Sequence, residues 1–218
     1  PNFTWSGASD GIGSGIAGYN YYWGSDPNGT TANWTIAPGF DPAAVSTPST
    51  TYLRIQTIDN VGNASAWATV FIFRYDASPP SIPTSANPGC AASDNTWQNT
   101  CPDPNFTWSG ASDGAGSGIA GYNYYWGPDP NGVTPGWTVP AAFDPPAAPT
   151  PSTTYLRIQT SDVAGNLSPW VTLFTFLFDA TPPNSNITSI VPLVMFQSYQ
   201  INWGGSDPGS GLFSYDVQ

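Results

Sequence analysis

A long internal repeat constrains this chain more than any other feature. Pro1–Trp23 returns almost unchanged as Pro104–Trp126, an offset of 103 positions (104 − 1), and a worn copy recurs at Ile201–Tyr215. Residues 1–80 align with 104–183 without a gap, and 57 of the 80 positions are identical. Solenoid repeats are about 20–45 residues long, whereas about 100 residues is the size of one sandwich domain. We therefore predict a string of domains, each with its own core.

Two proline-rich connectors mark the predicted boundaries. Asp76–Pro80 and Asp179–Pro183 each end in Pro-Pro after an apolar run. Paired prolines cannot continue a hydrogen-bonded ladder and stiffen a short connector. We predict three segments: 1–76, a repeat lacking its first strand; 77–179, a complete repeat; and 180–218, the first strands of a third, truncated repeat. On this prediction the chain begins and ends inside domains.

Short alternating runs, rather than helical spacing, fill the complete repeat. Pro or Gly interrupts most windows that could form a helix, and turn clusters separate the runs, which is the pattern of an all-β sandwich. In the best-defined run, Tyr122, Tyr124 and Trp126 alternate with Asn123 and Tyr125, so the two sets face opposite sides. We predict about seven antiparallel strands: Ser81–Pro88, Asn105–Trp108, Ile119–Trp126, Trp137–Val139, Ala142–Phe143, Tyr155–Thr160 and Trp170–Phe178.

Three motifs carry a resemblance to a known group of proteins. They are Ser112–Ile119 after the second strand, Thr154–Asn166 with its Asp-Val-Ala-Gly-Asn ending, and Asp179–Pro183 at the boundary. The pattern resembles bacterial extracellular immunoglobulin-like and fibronectin type III-like tandem repeats, over essentially the whole chain. The resemblance implies tandem Ig-like β-sandwiches in secreted, surface-attached stalks, adhesins, layers or filaments.

The charge balance excludes several partners. The net charge is −11, all 14 acidic residues are Asp, and the three basic residues are Arg54, Arg74 and Arg157. Nucleic acids and anionic membranes require basic patches, so neither is expected as a partner. No apolar run approaches the ~20 residues of a membrane-spanning helix. We expect no membrane insertion in this segment.

The residue types needed for common catalysis are missing. There is no His to act as a base near neutral pH and no Lys for Schiff-base chemistry. Without Lys, a Lys–Asn isopeptide bond cannot form either. The aspartates lie in turns rich in Gly, Pro and Ser, where Asp commonly caps its own backbone. We therefore predict that the chain is not an enzyme.

The two cysteines, Cys90 and Cys101, lie close together before the second copy of the repeat. Their spacing is not Cys-x-x-Cys, and there is no His to complete a zinc site. We predict a local disulfide, worth about 3 kcal/mol on a chain-entropy estimate. Such a bond implies an oxidising, extracellular compartment.

Calcium is the one cofactor that the sequence leaves open. Hard oxygen donors in turns could bind Ca²⁺, but no loop has the dense Asp-x-Asp-x-Asp spacing that supplies six to eight ligands. Turn capping by the same side chains is the alternative interpretation. The candidate ligands are Asp10, Asp59, Asp113, Asp162 and Asn166.

Aromatic residues and sequons supply the remaining candidate surface sites. Tyr22, Trp23, Tyr125 and Trp126 are candidates for contacts with another chain or a sugar, although the core also needs rings from this strand. Tyr125 is the ring that we expect to be most exposed. Asn-x-Ser/Thr sequons offer candidate glycan sites at Asn28, Asn33, Asn63, Asn166 and Asn186.

Two functions fit these observations. The first is a structural segment of a secreted or cell-surface protein that forms a fibre, stalk or surface layer, with neighbouring copies of the same protein as partners. The second is an adhesin or carbohydrate-binding module that uses the Tyr/Trp strand or the turn loops and binds surface glycans. Exposed aromatic rings on a folded unit would favour the second function.

Overall fold

The part of the chain that the structure describes is built from β-strands. A computed structural model describes residues 1–133, 136–190 and 201–216, and its elements are all strands. No helix in these ranges is long and apolar enough to cross a membrane. The chain divides into two compact units: Pro1–Ser78 with Asp113–Gly118, and Pro79–Ser112 with Ile119–Gln218. The predicted all-β sandwich fold is confirmed.

The first unit is built from two antiparallel sheets. Its strands are β1 (Phe3–Thr4), β2 (Ile16–Gly24), β3 (Asn33–Thr35), β4 (Gly39–Phe40), β5 (Ser49–Asp59) and β6 (Ala68–Tyr75). The larger sheet has the order β3-β2-β5-β6, and β1 pairs with β4. Tyr19, Leu53 and Ile55 are buried between the sheets, and Phe3, Trp5 and other rings pack around them.

The second unit repeats this plan with additional strands. Its strands before residue 180 are β7 (Ser85–Asn87), β8 (Thr96–Gln98), β9 (Phe106–Ser109), β10 (Ile119–Gly127), β11 (Gly136–Thr138), β12 (Ala142–Phe143), β13 (Ser152–Asp162) and β14 (Val171–Phe178). The main sheet has the order β11-β10-β13-β14-β8, and the smaller sheet has the order β12-β9-β7. Strands β9–β14 thus correspond one by one to β1–β6.

The core of the second unit is aromatic and fully closed. Phe106, Leu156, Ile158 and Phe176 have no exposed surface. Trp126 contacts Phe106 of the smaller sheet and Phe176 of the main sheet, with ring centroids 5.3 and 5.9 Å apart. Burial of each large apolar side chain contributes about 1.5–3 kcal/mol, and these contacts hold the two sheets together.

One strand was not predicted, and it changes the sheet. The sequence indicates seven antiparallel strands, whereas β8 is an eighth strand that pairs in parallel with β14, Trp97 opposite Leu177. Its three residues are too few to show an alternation. Hydrogen bonds hold this segment in place: Asp94 Oδ1 accepts the Thr175 N–H at 2.6 Å, and the Asp179 N–H donates to the Gln98 carbonyl at 2.9 Å.

The predicted disulfide encloses this extra strand. Cys90 and Cys101 are bonded, at a sequence separation of 11 residues. Closing the loop reduces the entropy of the unfolded segment and so stabilises the β8 connection by about 3 kcal/mol. The prediction of a Cys90–Cys101 disulfide is confirmed.

Two further strands follow residue 180. β15 (Asn184–Ile190) and β16 (Ile201–Ser206) pair antiparallel, with Ile187 opposite Trp203. Both side chains are more than half exposed. Residues 191–200 and 217–218 of the predicted third segment lie outside the described residues, and the division at 76 and 179 stays a prediction.

The repeat supplies a matched pair of core substitutions. Phe176 is fully buried, whereas its counterpart Phe73 is partly exposed. We expect Phe176→Ala to lower the free energy of unfolding of the second unit by about 3–5 kcal/mol. Phe73→Ala should cost the first unit clearly less, because its ring already contacts water. Urea-dependent hydrogen exchange, read on peptides from each unit, measures both losses. Equal losses would contradict the difference in packing.

Candidate functional site

The outer face of the main sheet in the second unit carries a row of polar and aromatic side chains. Strand β10 alternates, so Tyr122 and Trp126 join the core while Asn123 points away from it. Asn123 lies opposite Trp137 of β11 on one side and opposite Gln159 of β13 on the other. We call Trp137, Asn123 and Gln159 the second strip.

Hydrogen bonds fix the two amides of the second strip. Asn123 Nδ2 donates to Gln159 Oε1 at 3.0 Å, and Gln159 Nε2 donates to the Ser168 carbonyl at 2.9 Å. Among the described residues, the side-chain oxygen of Asn123, Oδ1, accepts no hydrogen bond. An amide offers two donors and a carbonyl acceptor. The Asn123–Gln159 pair therefore still offers solvent both a hydrogen-bond acceptor and hydrogen-bond donors.

Trp137 forms one end of the strip. Its side chain is 50% exposed, a high fraction for a tryptophan. The indole lies on the sheet above Gly121: a Cβ built on that glycine would be only 2.6 Å from Cζ2 of Trp137. A glycine at position 121 therefore lets the ring rest on the backbone of β10. The ring is held in place while about half of it contacts water.

The cation next to the strip is turned towards the protein. Arg157, which lies opposite Tyr125, is 9% exposed and donates through Nη1 to the Gly132 carbonyl at 2.8 Å. Its guanidinium carbon lies 5.9 Å from the centroid of the Trp170 ring, within cation–π distance. The positive charge therefore contacts a carbonyl and a ring rather than projecting over the strip.

The first unit carries the same arrangement, the first strip, formed by Trp34, Asn20 and Gln56. Trp34 is 46% exposed and covers Gly18, where a Cβ would again be 2.6 Å from Cζ2. Asn20 Nδ2 donates to Gln56 Oε1 at 3.0 Å. Arg54, beside this strip, donates to the Gly29 carbonyl at 2.9 Å and lies 6.0 Å from the Trp67 ring.

The rings singled out from the sequence contribute differently. Trp23 and Trp126 point into the cores, Trp23 lying 5.2 Å from Phe3. Tyr22 and Tyr125 point outwards but are only partly exposed, because the glycine-containing loops cover their rings. The Tyr125 hydroxyl accepts the Asp129 N–H at 3.1 Å. The more exposed rings, Trp34 and Trp137, were not singled out, since their position depends on strand pairing across a loop.

The calcium candidates all cap turns. Asp10 accepts the backbone N–H of Gly15, and Asp113 accepts the backbone N–H of Gly118, in each case five residues further along the chain. Asp162 is buried and accepts the backbone and side-chain N–H groups of Asn166, both at 2.7 Å. These hydrogen bonds show that the carboxylates cap turns, and calcium stays a prediction.

In the first unit, two of the candidate loops lie next to each other. The Asn60 N–H donates to the Gly15 carbonyl at 2.9 Å, which joins the loop capped by Asp10 to the turn capped by Asp59. Asp76 and Asp113 also have carboxylate oxygens within 4.8 Å of one another. Oδ1 of Asp113 is buried without a hydrogen-bond partner among the described residues.

The aspartates that begin the two Pro-Pro connectors, Asp76 and Asp179, accept hydrogen bonds from loops outside the connectors. Asp179 accepts the Ser210 N–H at 2.7 Å and the Thr181 N–H at 2.9 Å. Asp76 accepts the Ser78 and Ser117 N–H groups at 3.0 and 2.6 Å. These aspartates anchor the connectors to a following glycine-rich loop, a contact between residues far apart in sequence.

Hydrogen bonds lower the pKa of three of these aspartates below the usual 3.8. For Asp59 the main cause is the side-chain N–H of Asn63. For Asp76 it is the Ser78 backbone N–H, and for Asp179 that of Ser210. Each donor favours the ionised form of the carboxyl group.

The sequons lie mostly at the surface. Asn166 is partly buried, whereas the other four candidate acceptors are exposed: Asn28, Asn33, Asn63 and Asn186. The side-chain N–H groups of Asn63 and Asn166 already donate to Asp59 and Asp162. Glycosylation stays a prediction at all five positions.

Comparison with known proteins gives one informative similarity. No family model matches the chain. The chain is similar to a protein named Exoglucanase B from Cellulomonas fimi, with 28% identity over 167 residues. The match covers 75% of this chain but only 14% of that protein. This chain is therefore similar to a small part of a much larger protein whose name describes action on glucans.

The lowered aspartate pKa values predict a specific acid sensitivity. A carboxyl group whose pKa is lower in the folded state contributes stability above its ordinary value, 3.8, and loses it as pH falls through the lower folded value. We expect Asp59→Asn to be less stable than the unmodified chain at pH 7, and the difference in stability to be smaller at pH 2. Urea unfolding at both pH values measures this.

The exposed Asp41, whose carboxylate accepts no hydrogen bond from the described residues, provides the matched control. Asp41→Asn should change stability little at either pH. A loss in Asp59→Asn that stays constant between pH 7 and pH 2 would show that the carboxylate charge is not the cause.

Proposed function

We propose that this chain is a structural repeat segment of a secreted or cell-surface protein, non-catalytic, which contributes to an extracellular fibre, stalk or surface layer. The observation that supports the proposal is that the cores of the two units are built from the same aromatic contacts. Trp108 packs edge-on against Tyr122 at 5.3 Å, and Trp5 packs edge-on against Tyr19 at 5.4 Å. Modules that each close their own core can be added in series without redesign.

Extracellular localisation is supported by the chemistry of the chain. The Cys90–Cys101 disulfide is of the kind that persists in oxidising compartments. Three arginines and no lysine leave few cleavage points for trypsin-like proteases. Only 8% of the residues are charged, with a net charge of −11. The solubility of the chain therefore depends largely on polar uncharged groups. These properties suit a durable external structure.

Neighbouring copies are the proposed partners of the fibre or layer. Strands β3 and β11 lie at the edge of the larger sheet in their respective units. Each carries an exposed apolar side chain, Trp34 at 46% and Trp137 at 50%. An exposed sheet edge with apolar side chains is a template for strand addition. These edges support assembly through β-strand pairing between chains.

A second candidate function is carbohydrate binding. It is favoured by the similarity to part of Exoglucanase B and by the half-exposed tryptophans on the outer sheet faces. A non-catalytic module next to a glucan-degrading domain can serve by holding the polymer. The two functions are compatible, because a spacer can also carry a binding surface.

Immunogold electron microscopy of the cells that produce the protein tests the structural proposal. Antibodies raised against residues 1–218 should label a continuous filament, stalk or layer outside the cell, since a structural role requires the protein to be incorporated there. Serum absorbed with the purified chain is the control and should give no label. Label confined to the cytoplasm, or protein found only as free molecules in the medium, would overturn the proposal.

A further inference from the structure

We propose that the two strips bind a neutral polysaccharide, with Trp34 and Trp137 as stacking platforms and the adjacent amide pairs as hydrogen-bonding groups. The proposal names the ligand-binding residues for the second candidate function and rests on it. It is independent of the structural role. Asn20 and Asn123 lie on the Tyr/Trp strand that the sequence suggested, whereas the proposed stacking rings, Trp34 and Trp137, lie on the neighbouring strands β3 and β11.

The tryptophan rings provide the apolar part of the site. The π-face of an indole carries negative charge density, and the C–H groups on one face of a sugar ring carry slight positive charge, so the two surfaces attract. Sugars with mostly equatorial hydroxyls present such a C–H face. Trp137 rests on Gly121, which fixes its ring before a ligand arrives. A fixed platform loses little entropy on binding.

The amide pair provides the polar part of the site. Asn123 uses one N–H towards Gln159, which uses its carbonyl and one N–H in turn. Oδ1 of Asn123 and one side-chain N–H of each amide make no hydrogen bond with the described residues. A sugar hydroxyl both donates and accepts. Two neighbouring hydroxyls of a sugar stacked on Trp137 could therefore bond to the next residue along the row, Asn123.

The charge of the site selects a neutral ligand. The nearest cation, Arg157, points to the Gly132 carbonyl and the Trp170 ring. None of the six strip residues is charged. The net charge of −11 also repels polyanions. Acidic polysaccharides are therefore disfavoured, and uncharged ones are accommodated.

The duplication indicates that the strip is more than a packing feature. When the two copies of the repeat are compared in blocks of ten residues, the block 31–40, aligned with 134–143, is the most divergent. Only four of its ten positions are identical: Thr31, Trp34, Thr35 and Phe40 with their counterparts. Phe40 packs on the core, whereas Trp34 remains about half exposed. Two equivalent strips on one chain would increase retention on a polymer that offers many sites.

The test uses the intact chain and two defined glucans, soluble barley β-glucan and insoluble cellulose, with a soluble polyanion, polygalacturonate, as the charge control. We expect the unmodified chain to bind at least one glucan and not polygalacturonate. Trp34→Ala and Trp137→Ala should each weaken glucan binding about tenfold, as the loss of a central contact does. The double variant should show no measurable binding. Calorimetry and pull-down assays measure these affinities.

Trp97→Ala is the matched control, since Trp97 is 39% exposed on β8 and lies outside both strips. It should bind like the unmodified chain. Unchanged thermal unfolding of these four variants and of Asn123→Ala verifies that binding, rather than folding, has changed. Asn123→Ala should weaken binding without altering the fluorescence of an unbound chain.

The outcomes distinguish the inference from the function beneath it. If the unmodified chain binds neither glucan, the carbohydrate candidate and the strip assignment both fail. If it binds and the Trp34/Trp137 double variant binds equally well, only the strip assignment fails. Sedimentation velocity adds a third outcome: self-association that disappears in the double variant would make the strips an interface between copies, and would overturn the proposal.

Discussion

The structure depends on aromatic packing across the two sheets of each sandwich. Trp126 touches Phe106 from the smaller sheet and Phe176 from the main sheet, and Trp23 makes the corresponding contact with Phe3. A chain with few charges, whose described residues form no helix, has little else to hold its sheets together. Large rings bury much area for each ordered residue, so a sandwich with short strands can still close.

The same packing determines what the surface can do. Side chains along a strand alternate between faces, and a shift of one residue would exchange the two faces. Because Tyr122 and Trp126 must enter the core, Asn123 between them is directed outwards, where it pairs with Gln159. The candidate binding strip is therefore the reverse side of the aromatic core, and its register is fixed by the free energy of burial.

The sequence predicted the parts of this structure that depend on short-range patterns. Alternation along β10 placed Tyr122 and Asn123 on opposite faces, and the repeat predicted sandwiches with separate cores. Two features depend on distant residues and could not be read in this way. β8 is held by contacts with β14, about 80 residues away. Trp137 reaches Gly121 only because β11 pairs with β10.

Comparing the exposure of equivalent side chains in the two units shows which exposures depend on neighbouring strands and which do not. Phe174 is 4% exposed, whereas its counterpart Phe71 is 46% exposed. In the second unit the segment containing β7 and β8 adds strands to both sheets. The strip tryptophans behave differently, since Trp34 and Trp137 are 46% and 50% exposed in the first and second units. Both tryptophans lie on the outer face of their sheet, whereas Phe71 and Phe174 lie on the face that packs on the core. The exposure of the tryptophans therefore belongs to the repeat itself, as expected of a surface that every copy would present.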